Sequence, residues 1–251
     1  MTDEAAISVI IPTLGEEATL EACLERLRAT GVEECLVVDG GSGDATVEVA
    51  SRYATHVLVA PGGRAVQCNA GAAQATGRIL CFLHADTTLP DDWRKQILEV
   101  IDHRGCVAGA FRFGLEGDRW TWRVIEAGAN LRSRWLGLPY GDQALFVRRD
   151  VFAAMGGFRP LPFMEDVEWV RRLRRYGPQG LARGRVKTSP RRWERDGVLG
   201  TTLRNNLVLL GYFLGIDLST LHRWYFRPGS GRATPPLRSS EAASDERPSP
   251  S

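Results

Sequence analysis

The stretch Ile79-Leu-Cys-Phe-Leu-His84-Ala-Asp86-Thr-Thr-Leu-Pro90 decides how the chain is read. A continuous run of large apolar residues, broken by an acid, polar residues and a proline, reads as a buried parallel strand. Open α/β sheets place their chemistry at the carboxyl ends of such strands. An Asp delivered there can hold a hard divalent cation, which commonly binds through one or two carboxylates plus substrate phosphates. The same residue also suits the start of a turn ahead of a helix opening at Pro90. On this stretch alone both readings stand.

The preceding segments repeat the pattern. Ile7-Ser-Val-Ile-Ile11 reads as a strand, and Glu16 to Ala29 carries helical periodicity through Leu20, Cys23, Leu24 and Leu27. Cys35-Leu-Val-Val38 is a second strand, followed by a helix over roughly 44–53, a third strand at His56-Val-Leu-Val59 and a helix of about 64–76. Four βα units in fewer than a hundred residues predict a doubly wound, mostly parallel sheet flanked by helices. The second half is less regular. Val107 to Phe113 and Ala144 to Val147 read as strands, Asp118 to Arg134 and Val167 to Tyr176 as helices. From Arg227 the chain is Pro, Ser, Gly, Ala and charge, a composition expected to be disordered.

With 251 residues the chain can bury a sizeable core, and its net charge of +2 gives no field that would favour nucleic acid. The five cysteines are scattered without a CxxC pair and read as reduced core residues of a cytoplasmic protein. No basic start leads into an apolar signal segment, and no run reaches the roughly 18 apolar residues that span a bilayer.

Three polar clusters fall at predicted strand ends: Pro12-Thr13-Leu-Gly-Glu16-Glu17, Asp39-Gly-Gly-Ser42-Gly-Asp44 and His84-Ala-Asp86. A parallel sheet brings them to one edge. A phosphate cradle after strand one would need glycines and free N–H groups. Glutamates there suit instead the donor groups of a base or ribose, as does Asp39. Ser42 or Asp44 is expected to cap the next helix. A fourth cluster, Phe163-Met-Glu165-Asp166-Val-Glu168-Trp169, puts carboxylates at a helix start, where the dipole welcomes them. Its apolar approach would also raise a carboxyl pKa towards general-base work. Asp142 adds an acid just before a strand.

Taken in order, Ile-Ile-Pro12-Thr-Leu-Gly-Glu16-Glu, Val-Val-Asp39-Gly-Gly-Ser-Gly-Asp44, Gly62-Gly-Arg64-Ala-Val-Gln-Cys-Asn69-Ala-Gly, Leu-His84-Ala-Asp86-Thr and Met-Glu165-Asp166 resemble family 2 glycosyltransferases of the GT-A fold over about residues 7–195. The wording also resembles a bacterial branch linked with arsenosugar biosynthesis and radical-SAM gene neighbourhoods, and more distantly carotenoid-acid glycosyltransferases. The resemblance implies one GT-A domain over 1–226, with a nucleotide-binding half of about 7–90 and an acceptor half of about 105–226. It implies transfer of a sugar from a nucleotide-sugar, a UDP-sugar foremost, to an acceptor hydroxyl with inversion.

By position, it implies that Pro12, Thr13, Glu16 and Asp39 line the nucleoside pocket, with Arg64 near the base or diphosphate. Asp86 would be the last acid of the DxD motif, joined to the donor through Mg²⁺ or Mn²⁺, and Asp166 the general base. His84 stands where the motif has its first acid; it would bond a ribose hydroxyl or pack. The family's distal metal-binding histidine has no match, since His222 lies outside the resembling span. Asp142, Glu165, Trp169, Arg192 and Trp193 are candidates for the acceptor or diphosphate side, although large aromatics are more often core. The acceptor would be a small molecule or a lipid. The segment 203–225 sets Leu203, Leu207, Leu210, Phe213 and Leu214 along one helical face, expected to pack on the domain or else to lie peripherally on the inner face of the cell membrane. Two other readings remain at this point: a nucleotidyltransferase, and a nucleotide-sugar-binding protein with little catalysis.

Overall fold

In a computed structural model of the chain, residues 6–136, 139 and 141–226 are described, apart from the side chains of 134–136 and 192. The expected tail at 227–251 lies outside them. The first half alternates as read: β1 (Ile7–Thr13), α1 (Glu17–Ala29), β2 (Glu34–Asp39), α2 (Thr46–Tyr53), β3 (His56–Val59), α3 (Arg64–Gln74) and β4 (Ile79–Phe82). Then come a two-residue β5 (Thr87–Thr88), α4 (Trp93–Leu98) running into a π turn, β6 (Ala108–Arg112), α5 (Trp120–Leu136) and β7 (Leu145–Arg148). The chain continues through α6 (Arg149–Ala154), α7 (Glu165–Leu173), β8 (Gln179–Arg185), β9 (Lys187–Thr188), α8 (Arg191–Asp196), α9 (Val198–Phe213) and α10 (Leu218–Tyr225).

The main sheet has the order β3-β2-β1-β4-β7-β6-β8. The first four strands are parallel, β7 runs antiparallel to both its neighbours, and β6 pairs with β8 in parallel. Because successive side chains of a strand face opposite ways, β1 divides its apolar residues between two cores. Val9 and Ile11 pack with Leu20, Leu24 and Cys81 on one face; Ile10 packs with Leu36, Leu80, Phe82 and Trp169 on the other. All five cysteines are buried and free, and burial lifts the Cys35 and Cys81 thiols to about 12.

Helix α3 lies close on this sheet. A Cβ at Gly71 would meet Ile10 Cγ2 at 2.6 Å and Val38 Cγ2 at 3.0 Å, so only glycine permits the approach. Strand β8 was not expected from the sequence, nor was the small antiparallel pair of β5 with β9, which matches Thr87 to Thr188 and Thr88 to Lys187. That pair ties the C-terminal third of the chain to the end of β4.

The expected packing of the α9 apolar stripe is corrected. Leu203 is 61% exposed, and Leu199, Leu207, Leu210, Phe213 and Leu214 also face outward. Helix α9 packs instead through Thr201, Val208 and Gly211, with Gly211 against Leu221 of α10. Among the described residues no helix is long and apolar enough to cross a membrane.

At the amino-terminal end of the sheet, buried Glu34 gathers donors from two segments, β1 and the turn after α3. It accepts the Ser8 hydroxyl, the Thr76 N–H at 3.0 Å and the Thr76 hydroxyl at 3.1 Å. Burial opposes the charge, but these hydrogen bonds outweigh it and hold the carboxyl below its ordinary value. Glu34→Ala, which strands those donors, is expected to cost about 2–3 kcal/mol in urea melts at neutral pH. Since the folded value lies below the unfolded value of about 4.3, that contribution is complete above it and fades as pH falls through the folded value. The gap between wild type and variant therefore narrows only below about pH 4; a gap constant down to pH 2 would refute the assignment.

Candidate active site

The carboxyl ends of β1, β2 and β4 meet along one edge, and their loops are stitched to each other. Asp39, almost wholly buried at the end of β2, accepts the N–H groups of Gly41 and Ser42 at 2.7 Å each, the Ser42 hydroxyl and the Thr13 hydroxyl at 3.3 Å. Ser42 Oγ accepts the Gly15 N–H at 2.9 Å. Ser42 thus joins the first two loops and does not cap α2, whereas Asp44 takes the Thr46 N–H at 3.1 Å just ahead of that helix. From α3, the Gln67 amide donates to the Thr13 and Val38 carbonyls at 2.6 and 2.8 Å, pinning both strand ends. Gln67 was not singled out from the sequence. Its signal was a lone amide on the sheet-facing side of a predicted helix.

The expected site residues fall into two adjoining groups. Pro12, Arg64, His84, Glu165 and Asp166 line one crevice, with Phe82, Leu145 and Phe158 as its apolar wall. Arg64 opens α3 directly after Gly62 and Gly63, whose φ values of 128° and 95° make the turn. Its guanidinium lies 3.4 Å from Glu165, so it serves the α7 end of the crevice. Burial pushes the Glu165 carboxyl above its ordinary value, with Arg64 opposing the rise. The effect expected of the apolar approach at 162–164 therefore falls on Glu165.

Asp166, half-buried, accepts the Gly141 N–H at 2.7 Å and the Val167 N–H at 2.8 Å. Gly141 stands between Asp166 and His84: a Cβ there would lie 3.1 Å from His84 Nε2 and 3.3 Å from Asp166 Oδ2. Asp142 follows in the same turn, its carbonyl accepting the Thr188 hydroxyl at 3.4 Å. The segments bearing these residues are strained. Ala144 and Met164 are the non-glycine residues with positive φ among those described, at 48° and 64°. Such conformations cost free energy and gather at functional sites.

The second group surrounds Asp86. Thr188 and Thr87 hydroxyls bond at 3.0 Å, and the Ser189 N–H donates to the Asp86 carbonyl at 3.1 Å. This brings Arg191 onto the site, its Nη2 being 2.7 Å from Glu16 and 3.5 Å from Asp86. Burial pushes the Asp86 carboxyl upward, Arg191 pulls it down, and Glu16 adds to the rise. No three His, Cys, Asp or Glu side chains that could cage a metal converge among the described residues. Asp86 alone fits only a cation that takes one carboxylate and completes its shell with ligand phosphates and water.

Two expected aromatic site residues take part in packing. Trp169 is buried, with its ring 5.1 Å from Phe158, and also borders the cavity between α5, α7 and the β6–β8 edge. Trp193 packs 6.1 Å from Phe113. The Arg192 side chain lies outside those described. His222 is buried against Phe163, with ring centroids 5.6 Å apart, which sets α10 against the segment that leads into Glu165 and Asp166. A roomier cavity, about 800 Å³, lies away from this crevice, between α5, α7 and the β6–β8 edge, lined by Arg112, Arg123, Glu126, Leu131 and Arg185. Leu145 borders both cavity and crevice.

Residues 8–166 match the model of the family described as Glycosyl transferase family 2. The chain is 28% identical over 186 residues to glycosyltransferase AglE of Haloferax volcanii, covering 66% of this chain and 60% of that one. It is 37% identical over 174 residues to the PGL/p-HBAD biosynthesis glycosyltransferase of Mycobacterium bovis, covering 60% and 62%. The chain thus spans about 60% of the length of these curated relatives. Among solved structures it is similar to S. aureus TarS 1-349 in complex with UDP-GlcNAc, with a TM-score of 0.60, 18% identity and coverage of 73% and 58%. The complex of the same TarS segment with UDP gives 0.61, 16%, 87% and 77%. At those identities the likeness carries the fold, a GT-A-like α/β sheet. Because the family match runs through more than half of the chain, from β1 into the Asp166 loop, the chain belongs to glycosyl transferase family 2.

Proposed function

We propose that residues 7–226 act as one catalytic unit that transfers a sugar from a UDP-sugar to an acceptor hydroxyl with inversion. The observation that carries this reading is the convergence of Asp166, His84, Arg64 and Glu165 on a crevice that adjoins the donor-facing edge of the sheet. The solved likenesses in complex with UDP-GlcNAc and UDP support a uridine donor. The nucleoside would rest on the Pro12, Thr13 and Glu16 loop, with Asp39 holding the shape of the floor.

Asp166 is the base. A carboxylate has about four acceptor positions, so its two N–H bonds orient it and leave capacity for the acceptor hydroxyl. As the acceptor oxygen forms its bond to the anomeric carbon, its proton passes to Asp166. The bond from that carbon to the diphosphate breaks, and the electron pair leaves with the diphosphate. Direct displacement inverts the centre. Mg²⁺ or Mn²⁺, held by Asp86 and the donor phosphates, would supply positive charge to the departing group. Glu165 and Arg64 hold the strained Met164 turn in place. The acceptor is placed on the Leu145 side, in the cavity bordered by α5 and α7.

The outward stripe of α9 supports a peripheral membrane position. Leu199, Leu203, Leu207 and Leu210 recur at helical spacing, and Arg171 lies 5.1 Å over the Phe213 ring beside them. A face of this kind lies in the lipid interface and would admit a lipid acceptor, whereas the arsenosugar-linked branch supplies a small-molecule alternative for the same assay.

Asp166→Asn is expected to lower transfer by about 10²–10⁴-fold while leaving the UDP dissociation constant unchanged. Transfer at the wild-type rate would remove Asp166 as base, and a wild type that binds UDP-sugars without transferring or hydrolysing them would favour a silent binding protein. In flotation with anionic lipid vesicles, wild type is expected to rise with the lipid and the Leu203→Ser/Leu207→Ser double variant to remain behind. Equal behaviour of the two would end the membrane assignment.

A further inference from the structure

We infer that Arg191 is the protein's own cation for the donor diphosphate, and that it competes with the divalent ion for Asp86. The inference rests on the donor reading above. It starts from position. A single nitrogen, Arg191 Nη2, sits between two carboxylates that come from different strand ends, Glu16 after β1 and Asp86 after β4. The guanidinium thus lies on the carboxylate that the divalent ion would use.

The placement is built by the fold. The β5–β9 pair, the Thr87–Thr188 hydroxyl contact and the Ser189 N–H bond to the Asp86 carbonyl fix the main chain three residues before Arg191 and closer. The side chain keeps room to move, being 48% exposed, against 24% for Glu16 and 19% for Asp86. Both contacts use Nη2, and a guanidinium has further N–H groups with the planar geometry that phosphate oxygens take.

Charge balance gives the direction of the exchange. Two carboxylates and one guanidinium leave one net negative charge at this corner. A divalent ion arriving alone must displace Arg191 from Asp86 and leave it with Glu16. A diphosphate arriving with or without the ion offers Arg191 a better partner than a 3.5 Å contact, and so releases Asp86. When the bond to the anomeric carbon breaks, the electron pair gathers on an oxygen already within reach of this guanidinium. Residue 84 faces Gly141, so Asp86 and Glu16 are the carboxylates at this corner, and Arg191 supplies positive charge beside both.

The test uses the full chain with two probes, Mn²⁺ alone followed by its electron paramagnetic resonance signal, and UDP alone in EDTA followed by calorimetry. Arg191→Gln is expected to tighten Mn²⁺ binding about threefold to tenfold, because the competing cation is gone. The same change is expected to weaken UDP about tenfold in EDTA, the size of one charge-assisted contact. Arg191→Lys should recover part of the UDP affinity. Opposite signs on the two probes are the signature, since a change that only loosened the site would weaken both. Both affinities unchanged, or both weakened, would overturn the inference, and matching thermal melts of the three proteins exclude misfolding as the cause. UDP bound by wild type and equally by Arg191→Gln sinks Arg191 alone; UDP bound by neither protein, with Mn²⁺ present or absent, sinks the donor reading as well.

Discussion

A strand buried on both faces has to end before its chain can meet water, and three such strands, β1, β2 and β4, run parallel here. That constraint drives the polar residues following β1, β2 and β4 to one edge of the sheet. Pro12, Asp39 and His84 with Asp86 are neighbours for this reason, although up to 74 residues separate them. The edge is then made rigid by hydrogen bonds among its own groups. Gln67 satisfies the last carbonyls of β1 and β2 from the helix above, and Asp39 spends its oxygens on its own turn and on Thr13.

The second half of the chain supplies what the edge lacks. Antiparallel β7 begins directly after the Gly141–Gln143 turn, and Ala144 at positive φ makes the sharp change of direction. Met164, also at positive φ, does the same at the start of α7. Two strained turns thus bring Gly141 and Asp166 into hydrogen-bond contact across 25 residues of sequence. Strain of this kind persists only where surrounding packing holds it. The Phe152, Phe158 and Trp169 cluster beneath α7 and the Asn69 amide paired with the Phe158 backbone provide that packing.

The parts of this arrangement legible in the sequence are those governed by local pattern. Apolar runs disclosed β1, β2 and β4, because burial on both faces leaves no polar alternation to confuse. Strand β8 was hidden by Gly180, Arg183, Gly184 and Arg185, which break any strand pattern. Periodicity gave α9 its helix but could not say which way the leucines point, since the stripe is the same whether it meets core or solvent. Glu165 and Asp166 are adjacent and chemically alike, yet only one of them is turned towards Arg64 and buried. Arg191-Arg192-Trp193 reads from sequence as a run that meets a diphosphate or faces solvent; the place of Arg191 beside Asp86 could not be read, because it depends on the pairing of Thr87 with Thr188, 101 residues apart.

The histidine in the DxD position is best understood through the turn that follows β4. The Thr87 N–H bonds to the His84 carbonyl at 3.1 Å, which folds residues 84–87 into a tight turn. In an extended strand residues 84 and 86 would face the same way; the turn sends them apart. His84 faces Gly141 and Asp166, while Asp86 faces Glu16 and Arg191. An acid at position 84 would place a second negative charge beside Asp166, where like charges disfavour each other's ionised form. A histidine there keeps the Asp166 side of the crevice from accumulating charge, while on the other side of the turn Asp86 and Glu16 share one arginine.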